Sequence, residues 1–315
     1  MGTLTPLVEL RVRSVVPAAE MVAKVGKVAA PGDWNVQLVG PCRVLAPNGT
    51  TLAVYLPGHL RAEMDAQVDR LSGIRLITDN RGQASGSTRE RRGAQQRTRT
   101  RRIISGTLGA VDPGPSTGRA VGRLPVCRLT AWTGRHLPDW QALQPLLQGI
   151  DRALHDYVPD RWQAQARAAR DTEPDWLVPG TTFTTVTLNN TYSTGQHKDS
   201  GDLEAGFSTL AVARRGAYRG GLLVLGGYRI AVDMAHGDLL LFDAHTWHGN
   251  SAIHCPHQAD GADQLARPCP EGCERISLVA YYRTKVGRCG TADAEAAKAL
   301  AHVPRPAATS GAYPE

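Results

Sequence analysis

The sequence predicts a mainly β chain of the α+β class, with a double-sheet jelly roll as its core and supporting helices. Three observations predict it. After residue 181 the chain falls into short β-prone runs separated by Gly220-Gly221, Gly226-Gly227 and His236-Gly237-Asp238, the punctuation of a sandwich or barrel. Ahead of them lies one strongly amphipathic stretch, with Trp140, Leu143, Leu147, Ile150, Leu154 and Tyr157 at three- and four-residue steps. At 315 residues the chain is long enough for a sizeable core. It has no apolar run of about 18 residues, so no membrane span is expected.

Residues 1–78 read as a β-rich N-terminal part packed on the core. Its clearest unit is a hairpin, Cys42–Leu45 and Thr51–Leu56 about Pro47-Asn48-Gly49, because an Asn-Gly pair between two β-prone runs favours a tight turn. His59 to Leu71 follows with Leu60, Met64, Val68 and Leu71 on one helical face. Residues 103–290 are the predicted core. Leu124 to Thr130 reads as a strand. Pro138-Asp139 opens the amphipathic helix, which Pro145 should kink or restart, and Asp160 to Arg170 continues as a polar helix. Residues 291–315 are a helix, Thr291–His302, and a tail.

Residues 79–102 differ in kind. Eight arginines stand against two acids, with almost no apolar side chains to bury, so the segment gains nothing by packing. Arg97, Arg99 and Arg101 alternate with threonines and would line one side of an extended arm lying along nucleic-acid phosphates; a solvated basic loop is the other reading. The formal charge of +7 favours a polyanionic partner. No charged-then-apolar leader opens the chain, and the expected location is cytoplasmic. There, six cysteines should be thiols or metal ligands.

The chemistry gathers in the β-rich block. Strand-like runs are read at Thr181–Leu188, Phe207–Val212, Leu222–Leu225, Tyr228–Val232, Leu239–Phe242 and Ile276–Tyr282. The first leads to His197 and Asp199, two positions apart and so on one side of an extended backbone. A histidine and a carboxylate presented together are two of the three ligands of a non-haem Fe(II) facial triad. A second histidine should follow a late strand. His245 and His248 both do, and His248 is favoured because it lies past the apolar strand and beside Trp247. Iron held by three ligands leaves positions for dioxygen and a chelating 2-oxo acid, whose far carboxylate needs a forked cation. Arg275 heads a strand with Ser277 on the same side; Arg283, at the other end, is the alternative.

His197-Lys198-Asp199-Ser200-Gly201-Asp202, the run Gly-Asp-Leu-Leu-Leu-Phe-Asp at 237–243, Trp247-His248-Gly249-Asn250 and Arg-Ile-Ser-Leu-Val-Ala-Tyr-Tyr at 275–282 together resemble the TET/JBP family of 2-oxoglutarate- and Fe(II)-dependent nucleic-acid dioxygenases. The form of the first motif is closer to the JBP and phage-encoded branch, which implies a bacterial or phage-infected cell. The resemblance implies a double-stranded β-helix with His197, Asp199 and His248 on Fe(II), and Arg275 and Ser277 on 2-oxoglutarate. The reaction implied is dioxygen-dependent hydroxylation of the C5-methyl of 5-methylcytosine in DNA. Thymine is the rival base, and a protein or small-molecule hydroxylase of the same fold is a second enzyme reading. A methyl group inside a duplex is reached by extruding its base. Asn189, Asn190 and Tyr192 are then candidate base contacts, against the plain reading of turn-forming asparagines.

One cluster falls outside that pattern. Cys255, His257, Cys269 and Cys273 lie close together between His248 and Arg275. They are candidate ligands of a tetrahedral Zn site, with reduced cysteines in a loop as the other reading.

Overall fold

The computed structural model of the chain describes residues 4–78, 103–113, 126–254 and 272–301. The N-terminal part contributes β1 (Val8–Arg11), α1 (Ala18–Ala23), β2 (Val36–Leu38), β3 (Cys42–Leu45), β4 (Thr51–Leu56), α2 (Arg61–Gly73) and β5 (Ile77–Thr78). Then come β6 (Ile103–Val111), β7 (Arg128–Leu129), α3 (Ala131–Arg135), α4 (Leu137–Tyr157) and α5 (Pro159–Arg170). The β-rich block holds β8 (Thr185–Asn190), β9 (Ser208–Arg215), β10 (Arg219–Gly220), β11 (Leu223–Leu225), β12 (Ile230–Val232), β13 (Leu239–Phe242), β14 (Gly249–Asn250), β15 (Ile253–His254) and β16 (Glu274–Tyr281), and α6 (Ala292–Ala301) follows.

These strands form two facing sheets. The larger runs β1-β3-β4-β13-β9-β16-β8-β6-β5, with β7 on β6; the smaller runs β14-β11-β12-β2. A two-stranded ribbon, β10 with β15, stands beside them. The 42–56 hairpin forms as expected, and β4 pairs with β13. The N-terminal strands thus lengthen both sheets.

Alternation along each strand sorts side chains between two environments. Leu239, Leu241, Ile276, Leu278, Val186 and Leu188 enter one core with Met64, Leu71, Leu143, Leu147 and Ile150 from α2 and α4. Leu210, Val212, Leu240 and Phe242 face the other way, onto Leu223, Leu225, Ile230 and Val232 of the smaller sheet. Each fully buried leucine contributes roughly 1.5–3 kcal/mol, so the helix layer holds the sheet that carries the site. Helix α4 runs through Pro145 with no second start. Buried residues on both sides, Leu143 and Leu146, anchor it to one core, which offsets the backbone bond that proline forfeits.

The cysteine expectation needs correction. Cys127 and Cys289, 162 positions apart, are joined as a disulfide with their Cα atoms 6.0 Å apart, within the usual span of such a bridge. The bond ties the start of β7 to the chain just before α6, beside the buried Trp176 and Val286. Cys42 and Cys273 are buried. Among the described residues, no helix is long and apolar enough to cross a membrane.

Candidate metal centre

Two loops meet between the sheets. His197 and His248 form an isolated antiparallel bridge: the His197 N–H donates to the His248 carbonyl at 2.8 Å, and the His248 N–H donates back at 3.0 Å. The Asp199 N–H donates to the Ala244 carbonyl at 3.0 Å, fixing the next step of the same loop. Gly249 permits this approach, because a Cβ there would lie 2.8 Å from the Gln196 nitrogen.

The backbone pairing brings three side chains to one point. His197 Nε2 lies 3.5 Å from Asp199 Oδ1, and His248 Nε2 lies 3.8 Å from Asp199 Oδ2. The three donor atoms are all within 4.8 Å of one another. Each imidazole has its Nδ1 at a carbonyl, Gly195 at 2.8 Å for His197 and Thr246 at 2.9 Å for His248. A carbonyl only accepts, so each Nδ1 carries the proton and each Nε2 keeps its lone pair for a metal. Burial, and then the neighbouring His197, push the His248 pKa down to about 4, which holds it neutral at physiological pH. Bonds of about 2.1 Å to one ion would place the donors on the order of 3 Å apart, so rotation of the side chains would draw the set together around it. Two imidazoles and one carboxylate on one face suit Fe(II) with open positions. His245 turns aside, its Nδ1 3.1 Å from Asp243 Oδ1.

The triad opens into a cavity of about 310 Å³ lined also by Thr107, Thr187, Asn189, Asp202, Arg275, Ser277, Tyr281 and Arg283. Arg275 is 3% exposed, and among the described residues its Nη2 has no hydrogen-bond partner. A buried guanidinium with an open donor is costly alone and complementary to a carboxylate. Burial lowers its pKa without removing its charge. Arg283 is held by Asp112 at 2.9 Å. The residues present therefore fit both an Fe(II) ion and the distal end of a 2-oxo acid.

Sequence reasoning placed some residues here and missed others. Asn189 lines the cavity, its Oδ1 accepting from Ser105 Oγ at 2.6 Å. Asn190 faces the opposite side of the sheet and donates to Glu274 Oε1 at 2.8 Å, so as a base contact it is withdrawn. Tyr192 is buried but does not line the cavity. Asp202 was overlooked as a site residue, although it closes the first motif. Burial, and then Asp199, push its pKa up to about 7 while Ser208 donates to it at 3.1 Å. Thr107, Thr187 and Tyr281 reach the cavity only through strand pairing, which no local signal announces. Arg97, Arg99 and Arg101 lie outside the described residues, as do Cys255, His257 and Cys269. Cys273 packs on Tyr218 and Ile253, and nothing supports zinc.

The family model Tet_JBP, the oxygenase domain of the 2OGFeDO superfamily, matches residues 116–284. Thymine dioxygenase JBP1 of Trypanosoma brucei brucei is 32% identical over 161 residues, 51% of this chain and 17% of that protein. The protein of the same name from Crithidia fasciculata is 33% identical over 162 residues, 51% of this chain and 18% of that one. The chain thus spans under a fifth of these relatives' length. The solved structure of NgTET1 in complex with 5mC DNA superposes with a TM-score of 0.53 at 14% identity, covering 86% of this chain and 93% of that one, a likeness of fold.

Proposed function

Because the chain belongs to the Tet_JBP oxygenase-domain family of the 2OGFeDO superfamily, we propose that it is an Fe(II)- and 2-oxoglutarate-dependent dioxygenase that hydroxylates the C5-methyl group of a pyrimidine in DNA. The observation that carries this reading is His197, Asp199 and His248 converging beside a buried arginine that keeps an open donor.

In this reading His197, Asp199 and His248 hold the iron, and Arg275 with Ser277 receives the distal carboxylate of 2-oxoglutarate. Bound iron supplies the oxidising chemistry: 2-oxoglutarate and dioxygen are converted to succinate and carbon dioxide as one methyl hydrogen is replaced by hydroxyl. The chain's own part is to orient the reactants and exclude water. The cavity lies between two sheets, so a base in a duplex must be extruded to enter it. The +7 charge and the arginine-rich 79–102 segment are suited to the phosphates on either side.

For the base, we favour 5-methylcytosine, giving 5-hydroxymethylcytosine. This base is the one carried by the solved TET structure of the same fold, and Asp202 in the cavity, raised to a pKa of about 7, can accept from the cytosine amino group in its ionised form. Thymine is the second reading, because the relatives at about a third identity are named thymine dioxygenases. Two duplexes separate them under Fe(II) and 2-oxoglutarate. One carries 5-methylcytosine with uracil in place of thymine, and the other carries thymine and unmethylated cytosine. Nucleoside mass analysis should find the hydroxymethyl product from the first; product from the second alone would transfer the assignment to thymine.

A further inference from the structure

His197 pairs its main-chain N–H and carbonyl with His248, while its neighbour Gln196 pairs both of its own with the N-terminal part. The Gln196 N–H donates to the Lys27 carbonyl at 2.9 Å, and the Gly26 N–H donates to the Gln196 carbonyl at 2.9 Å. Two residues beyond Lys27, the Ala29 N–H donates to the Asn250 carbonyl at 2.9 Å. Four residues, 26–29, therefore join the stretch that leads into His197 to the stretch that follows His248. They lie outside residues 116–284, which carry the family match.

The sequence is fitted to this approach. Gly26 has φ +75°, which glycine adopts at little cost, and a Cβ on Gly195 would run into the Gly26 carbonyl group. Ahead of the strap, Met21 anchors α1 and is 1% exposed. A Cβ on Gly226 would meet Met21 Cε at 2.5 Å and Gln196 Oε1 at 2.7 Å, so both side chains press on one turn. Further upstream the Val15 and Val16 N–H groups both donate to the Gly227 carbonyl, at 2.9 and 3.3 Å. Behind the strap, Ala29 is buried against Val224 of β11 and Ala231 of β12, with Trp34 packed on the same cluster. The segment is thus fixed at both ends, and the metal-bearing loops are bonded to its middle.

We propose that the strap of residues 26–29, anchored by Met21, is a positioning element for the metal centre, holding the His197 loop and the His248 strand in register so that their imidazoles meet. It acts through the backbone of Gln196 and Asn250 and touches no ion or substrate. The inference rests on the metal-centre reading of His197, Asp199 and His248, and assigns to the N-terminal part a role in that centre.

Iron binding without turnover tests it. Fe(II) is titrated anaerobically into the full chain by calorimetry, at a temperature well below each variant's melting point. Met21→Ala empties the anchor of α1, and Ala29→Pro removes the N–H given to Asn250. Each should weaken Fe(II) binding about tenfold, the loss expected when the ligand loops are correctly placed about one-tenth of the time. Leu143→Ala opens the core on the other face of the larger sheet; it should lower the melting temperature and leave Fe(II) affinity unchanged, which separates positioning from stability. In the metal-free wild type, hydrogen exchange should find the amides of Gly26, Ala29, Gln196 and His248 opening together as one slow unit. Wild-type Fe(II) affinity in the folded strap variants, an equal loss in Leu143→Ala, or fast exchange at Gly26 and Ala29 beside slow exchange at His248 would overturn the proposal. A wild type that binds no Fe(II), or an Asp199→Ala variant that binds it as tightly as the wild type, would instead remove the metal-centre reading on which it depends.

Discussion

His197 and His248 hold each other through two backbone hydrogen bonds, and their ring centroids lie 4.3 Å apart. The positions of two candidate metal ligands are thus set by main chain. A site fixed this way costs little reorganisation on binding. Its remaining tolerances lie in the side chains around the cavity.

Gly221 has φ +71° and sits against Arg275. Gly221→Ala places a methyl group 2.8 Å from Arg275 Cδ and forces a left-handed conformation on an L residue, at a cost of about 1–2 kcal/mol. The expected result is a modestly lowered melting temperature and several-fold weaker 2-oxoglutarate binding, with Fe(II) affinity unchanged. Calorimetric titration of each ligand checks it; unaltered 2-oxoglutarate affinity would show that Arg275 has room to spare.

Asn190 anchors structure. Its amide donates to the buried Glu274, which also accepts from Ser72 and pairs with Arg75 at 3.2 Å. Asn190→Ala removes one donor from that carboxylate and should cost about 1–3 kcal/mol in urea unfolding. Base preference should stay the same. Asn189→Ala, altering the cavity wall, should lower turnover with less effect on stability.

Asp202 gives the metal-free protein a pH signature. The folded carboxyl titrates at about 7 and the unfolded one near 3.8, so between these values the folded chain keeps a proton that the unfolded chain has released. The resulting stabilisation is complete below the unfolded value and is lost as pH rises through 7. Asp202→Asn removes that loss. With chelator present, the melting temperature of the variant minus that of the wild type should grow from pH 4 to above pH 7, within about the range the two values define. A difference that is flat with pH would contradict it.

Much of this site was legible because its ligands are local in sequence. His197 and Asp199 stand two apart, and Leu239–Phe242 is a strand whose bounds the structure reproduces. The reason for choosing His248 over His245 was less sound. Past the apolar strand the chain turns from Asp243 to Thr246, with Thr246 N–H donating to the Asp243 carbonyl at 3.1 Å, so lying beyond that strand does not choose between the two. What selects His248 is its bridge to His197. Asn189 and Asn190, read together as candidate base contacts, part company because β8 runs on through Asn190 with no turn there, so the two face opposite sides. The Cys127–Cys289 pairing was out of reach because it depends on how the last strand and helix return to the sheet.

The arginine-rich arm is tested through salt. Each phosphate contact contributes about 0.9 to the slope of log affinity against log salt for duplex DNA. Deleting Ser85–Arg101 should weaken DNA binding and flatten that slope, as fluorescence anisotropy at several ionic strengths would record. An unchanged slope would make the segment a solvated loop.

The proposed reaction consumes 2-oxoglutarate and dioxygen at Fe(II) to hydroxylate a pyrimidine methyl group in DNA. Its most direct test is nucleoside mass spectrometry of methylated DNA incubated with the protein, iron and 2-oxoglutarate under heavy-oxygen-labelled dioxygen, beside Asp199→Ala. The wild type should yield a hydroxymethylpyrimidine carrying one labelled oxygen atom, and the variant none, while keeping its fold by circular dichroism. A wild-type reaction that leaves every pyrimidine methyl unchanged, or an Asp199→Ala variant as active as the wild type, would contradict it.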